Sequence, residues 1–191
     1  LLEALRIGER LSSPACMLTP LFNLAELHQD RGEWEAAEAW WRELLAKAQA
    51  TGYVIEQLEA QCGIGMVRLE QGDLEGALAA ERAARAILAA EEDAVSESRV
   101  PLTQLSARLA AATGEVEGAR TLFEQLFGEV EGQDPYVLAR FRVDAAEALF
   151  GREPEYAREL AARALETFRE LGAGPMATRA EAILEREGGR E

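Results

Sequence analysis

The stretch Leu21-Phe22-Asn23-Leu24-Ala25-Glu26-Leu27-His28-Gln29-Asp30-Arg31-Gly32-Glu33-Trp34-Glu35-Ala36-Ala37-Glu38-Ala39-Trp40-Trp41-Arg42-Glu43-Leu44 decides the fold. Ahead of the glycine, Leu18, Leu21, Leu24, Ala25 and Leu27 recur at helical spacing. Beyond it, Trp34, Ala37, Trp41, Leu44, Leu45 and Ala48 form a second stripe. Gly32 stands where a left-handed residue ends a helix. Glu33 suits the positive end of the next one. Trp34 is expected to pack back between the two helices, and the small Ala37 to let them cross closely. The stretch reads as two helices joined by a tight turn, folded back on each other.

The same turn recurs along the chain. Arg31-Gly32-Glu33-Trp34-Glu35-Ala36-Ala37 is followed by Gln71-Gly72-Asp73-Leu74-Glu75-Gly76-Ala77 and by Thr113-Gly114-Glu115-Val116-Glu117-Gly118-Ala119. Gly72 lies 40 residues after Gly32, and Gly114 lies 42 after Gly72. A degenerate fourth copy, Gly151-Arg152-Glu153-Pro154-Glu155-Tyr156-Ala157, places its alanine 38 residues after Ala119. Each copy joins two apolar-periodic segments, and Leu74 and Val116, like Trp34, are expected to pack back between them. The later second helices carry Val116, Ala119, Phe123, Leu126, Phe127 and Val130, then Ala157, Leu160, Ala161, Ala164, Phe168 and Leu171. Between pairs, Ser13-Pro14, Thr51-Gly52, Gly132-Gln133-Asp134-Pro135 and Gly172-Ala173-Gly174-Pro175 read as helix stops and starts. The expectation is an all-α chain of about ten helices forming one repeat domain over residues 1–191. It comprises a leading half-pair at 1–12, pairs at 14–51, 53–93, 95–131 and 134–172, and a terminal helix at 175–187. The glutamate-rich end from Glu185 to Glu191 is expected to fray.

Composition agrees. Alanine and leucine dominate and aromatics are 6% of 191 residues, which favours close-packed helices over a β-sandwich. The net charge of -15 repels phosphate backbones and argues against a nucleic-acid partner. No apolar run is long enough to span a membrane, and no secretory leader opens the chain. Cys16 and Cys62 lack disulfide-framework or zinc spacing, as in a reducing cytoplasm. The chain begins at Leu1 with a segment already helical in pattern, which reads as the second half of a pair in a longer protein.

The positions Leu21, Leu24, Ala25, His28, Gly32, Trp34, Ala37, Trp41 and Leu44 resemble the tetratricopeptide-repeat motif, with His28 where that family has a large aromatic or aliphatic residue. The period exceeds the family's usual value of about 34 because these helices are longer. HEAT-class repeats run at this longer period but lack the Gly-acidic-apolar-x-x-Ala turn. Long repeats of this kind are also similar to the helical C-terminal regions of bacterial ATP-dependent regulators of the LuxR type. The closing stretch Ala164 to Pro175 is like the end of such arrays.

The resemblance implies an α-solenoid of antiparallel helix pairs, with a concave groove lined by the first helix of each pair. Family geometry puts Phe22, Glu26, Gln29, Glu59, Cys62, Met66, Gln104, Arg108, Arg142 and Ala146 near that face. Of these, Phe22, Glu26, Glu59, Met66, Gln104, Arg108 and Arg142 are the candidate partner-binding residues. Family members that clamp a peptide carboxylate use lysines and asparagines there. This chain has Asn23, Gly63, Leu105 and Val143 at the matching places, so the clamp is not supported. An acidic half around Glu26, Asp30, Glu59 and Glu70 opposes a basic spot at Arg108 and Arg142, which suits an extended peptide or a partner helix. The implied function is a non-catalytic protein-interaction scaffold. The alternative is an effector-sensing arm of a larger bacterial signalling ATPase or transcription regulator, and self-association is a third option.

Other features read as structure rather than chemistry. Gly63-Ile64-Gly65 follows no strand and lacks Gly-Lys-Ser/Thr, so it is expected to serve packing. His28, the only histidine, has Glu26 and Asp30 on its helix, but neither at a spacing that faces it. Glu91-Glu92-Asp93 reads as a solvated helix end, and Trp40, one position off the internal stripe, reads either as packing on the neighbouring pair or as an exposed anchor for a partner. No catalytic residue, metal ligand set or cofactor motif is identified.

Overall fold

The computed structural model describes residues 1–11, 13–90 and 99–186. Among these residues there are ten helices and no strand. They are α1 (Leu2–Arg10), α2 (Ala15–Asp30), α3 (Trp34–Thr51), α4 (Val54–Glu70), α5 (Leu74–Ala90), α6 (Val100–Thr113), α7 (Val116–Val130), α8 (Pro135–Leu149), α9 (Pro154–Leu171) and α10 (Gly174–Leu184). The acidic run Glu91-Glu92-Asp93 and most of the glutamate-rich end lie outside the described residues. The chain divides into two compact units, Leu1–Leu105 and Ser106–Glu191.

The turns follow the sequence closely. After α2, Gly32 takes φ 71°. Its N–H donates to the Gln29 carbonyl at 3.0 Å, and the Glu33 N–H donates to the His28 carbonyl at 2.9 Å. These two bonds satisfy carbonyls the helix would otherwise leave without partners. The turns at Gly72 and Gly114 repeat the pattern, with the Asp73 N–H donating to the Arg68 carbonyl and the Glu115 N–H to the Ala110 carbonyl. The acidic residue that follows acts in two ways. Asp73 is short enough for its Oδ1 to accept from the Gly76 N–H at 2.8 Å, capping α5. Glu33 and Glu115 make no such side-chain bond. The fourth turn is different. Gly151 is not among the left-handed glycines, and the Arg152 and Glu153 N–H groups both donate to the Leu149 carbonyl before Pro154 opens α9.

In the first unit, α1 packs on α2, α2 on α3, α3 on α4 and α4 on α5, and α2 also touches α4. Neighbours therefore surround α4, and its residues 62–67 are buried without a break. The core joins Leu18, Leu21, Leu24, Trp41, Leu44, Ile64 and Val67. Glycine makes the closest approach possible. A Cβ on Gly63 would stand 2.3 Å from Cε2 of Trp41, and one on Gly65 would stand 2.6 Å from Cδ2 of Leu105. Both glycines are packing residues. Arg68 ties three helices together, donating to Glu38 Oε1 at 3.0 Å and to the Gly76 carbonyl at 3.2 Å.

In the second unit, α8 packs on α7 and α9, and α10 lies against both α8 and α9. Phe123, Leu126, Val143, Leu149 and Phe168 are fully buried. Arg179 of α10 is held by α8. Its guanidinium donates to Asp144 Oδ1 at 2.9 Å and to Glu147 at 2.5 and 2.8 Å. Burial alone would lower its pKa, but the hydrogen bonds and charges of Glu147 and Asp144 hold it above the ordinary value.

The four turn alanines Ala37, Ala77, Ala119 and Ala157 are completely buried, as the crossing of each pair requires. Several apolar positions depart from the sequence reading. Leu74 is 36% exposed rather than packed back, and Leu27 and Leu171 face solvent at the edges of their stripes. In α1 Leu5 and Gly8 are buried, while Leu2 and Ile7, and Leu1 and Leu11 at its ends, are exposed. Ser13 does not cap α2 through its side chain; its hydroxyl donates to Cys16 Sγ at 3.3 Å.

Candidate functional site

The first-helix face of the first unit gathers part of the expected site. Phe22 is half-buried on α2, with its ring edge-on to Trp41 at 5.3 Å. The Trp41 Nε1–H donates to Gln29 Oε1 at 3.0 Å, which fixes the glutamine on the same helix. Glu26 of α2 and Glu59 of α4 are both half-buried. Burial pushes the Glu59 carboxyl up from 4.5 to about 7, and the charges of Glu56 and Glu26 add to the rise. Carboxylates of two successive first helices thus act on one another. Met66 and Cys62 continue the same helix but are buried. The Cys62 thiol is pushed up to about 12 by burial, with Glu59 and Glu81 adding to it, so it stays protonated and unreactive. Gln104, further along this unit, is half-buried.

In the second unit Arg108 is half-buried on α6. Arg142 has a different setting. It lies in a cleft of about 260 Å³ whose walls come from α7, α8 and α9. Burial lowers its pKa, Arg163 lowers it further, and Glu131 opposes them. The second helices α7 and α9 meet beside this cleft. The Arg120 guanidinium lies 4.4 Å from the centre of the Tyr156 ring and bonds Glu124 at 3.1 Å. Sequence reading did not single out Arg163, Tyr156 or Glu131. Tyr156, Leu160 and Arg163 do share one helical stripe, but that stripe does not say that it faces Arg142. Ala146, expected near the groove, is fully buried.

The remaining candidates have local explanations. His28 contacts Glu33 across the turn and stacks on Trp40, with ring centres 6.4 Å apart. Trp40 accordingly packs against the core. Of the four positions matching the family's carboxylate clamp, Gly63, Leu105 and Val143 are buried and offer no polar group. Among the described residues no three His, Cys, Asp or Glu side chains are grouped to hold a metal ion. No helix among them is long and apolar enough to cross a membrane.

Paired helices closed by a left-handed glycine and a buried alanine define a helical-repeat protein of the kind that presents side chains for binding. The family model described as tetratricopeptide repeat matches residues 14–90, and that part of the chain belongs to the tetratricopeptide-repeat family. The match does not extend the likeness to regulators of the LuxR type. No curated protein matches the chain. Repeats of this family generally mediate protein–protein interaction and are typically non-catalytic.

Proposed function

We propose that this chain is a non-catalytic scaffold that binds a protein partner through the first-helix face of its leading repeats, and that the partner presents a basic segment there. One observation carries the reading: Glu59 is half-buried near Glu56 and Glu26, burial first and then their charges raise its pKa to about 7, and no cation is among the groups acting on it. Such a face gains from a lysine or arginine brought by another molecule. Phe22 beside it offers an aromatic anchor.

Retention on the immobilised chain from a native lysate, read by mass spectrometry, tests this. The wild type should hold a protein with a basic segment, less firmly as salt rises. Changing Glu26→Gln and Glu59→Gln together should release it while circular dichroism stays unchanged. A partner held equally by the double variant contradicts the reading.

A further inference from the structure

We infer that the cleft among α7, α8 and α9 is a binding site for a small organic acid with one carboxylate and an apolar body, anchored by Arg142. This does not rest on the first-helix face, which belongs to the other unit. Among the described residues, the Arg142 guanidinium forms no hydrogen bond and no ion pair within 4 Å. A half-buried cation in that state is costly, and it presents five donors in a planar fork that matches a carboxylate. Room lies on both sides of it. The cleft of about 260 Å³ adjoins a second recess of about 270 Å³, and the two share Leu138 and Arg142.

The rest of the lining sets the ligand class. Phe127, Leu138 and Leu160 supply apolar wall, so the ligand carries a hydrocarbon part. Arg163 brings a second guanidinium, already bonded to Glu159 at 2.5 Å. Three carboxylates stand in the same lining: Glu124, paired with Arg120, Glu159, paired with Arg163, and Glu131, and together they repel a doubly charged anion more than a singly charged one. A monoanion therefore fits better than phosphate. The volume, near the lower end for ligand sites, favours a small molecule over a peptide segment.

The test is a titration of the isotope-labelled full chain with sodium hexanoate, followed by amide NMR, with hexanol and inorganic phosphate as separate probes. Hexanoate should shift amides between Glu124 and Arg142 and between Tyr156 and Arg163, and the shifts should saturate. Hexanol and phosphate should bind at least about tenfold more weakly. Arg142→Gln should weaken hexanoate at least about tenfold, and Arg142→Lys should fall between. If Arg142→Gln fails to fold, the lysine variant, which keeps the charge but loses the fork, carries the comparison. Unsaturable or absent shifts, equal binding to both variants and wild type, phosphate binding as well as hexanoate, or binding only when the acid ends a peptide would each overturn the inference.

Discussion

The two units use the same turn and finish it differently. In Leu1–Leu105 the helices close on one another because glycines lie under large side chains: Gly63 under the Trp41 ring, Gly65 under Leu105. In Ser106–Glu191 the two glycines of α7 lie under no large side chain, Gly118 meeting only Glu115 at 3.9 Å and Gly128 nothing within 4 Å, and the terminal helix is instead held by the Arg179 ion pairs. There the facing stripes of α7, α8 and α9 carry arginine, tyrosine and glutamate, and a cleft remains among them. One turn thus specifies the helix pair. The residues that meet between helices decide whether the pair packs shut or leaves room for a ligand.

Glycine substitutions break the comparison most sharply. Gly63→Ala should cost about 2–4 kcal/mol in urea unfolding, because Trp41 is 4% exposed and has nowhere to go. Arg179→Ala should cost about 2 kcal/mol, less than a fully buried pair would, because the Arg179 side chain is 37% exposed while the Asp144 carboxylate it leaves behind is buried. Thermal unfolding followed at α10 amides reads this loss.

Glu59→Gln sharpens the electrostatic side. The folded-state pKa is raised, so between pH 4.5 and about 7 the folded chain binds this proton more tightly than the unfolded chain does. Stability in the wild type should fall as pH rises through that window and level off above it. The glutamine variant should lack this fall, being about 1–2 kcal/mol more stable than wild type at pH 8 and equal to it below pH 4. Equal pH profiles would mean that burial and the neighbouring carboxylates do not raise the Glu59 pKa. In the turns, Gly72→Ala should cost about 1 kcal/mol because φ is 79°, whereas Gly151→Ala, outside the left-handed region, should change stability by less than about 0.5 kcal/mol. Gly128→Ala, on an exposed helix position with open space around it, should stabilise by about 0.5–1 kcal/mol.

The fold was legible because a turn is a local code. Gly32, Gly72 and Gly114 with their acidic and alanine partners state the end of one helix, the start of the next and the crossing point within seven residues. The degenerate Gly151 copy departs in structure where it departs in sequence. Leu74, Leu27 and Leu171 were misread because periodicity gives the centre of an apolar stripe better than its edges. Leu1 and Leu11 at the ends of α1 are apolar yet exposed, because among the described residues α2 is the one helix packed against α1. The candidate site was legible only in part. Glu26 and Glu59 fall on first helices by register, but their mutual effect depends on how closely α2 and α4 approach. The setting of Arg142 needs three helices at once, and no spacing within one helix conveys it.

The most direct measurement is a double-mutant cycle on Gly63→Ala and Trp41→Leu, followed by urea unfolding. Closure of the first unit through a ring seated on a glycine predicts strong coupling. The alanine should cost about 2–4 kcal/mol with the tryptophan in place and less than about 1 kcal/mol in the Trp41→Leu background. Equal costs in both backgrounds would contradict it.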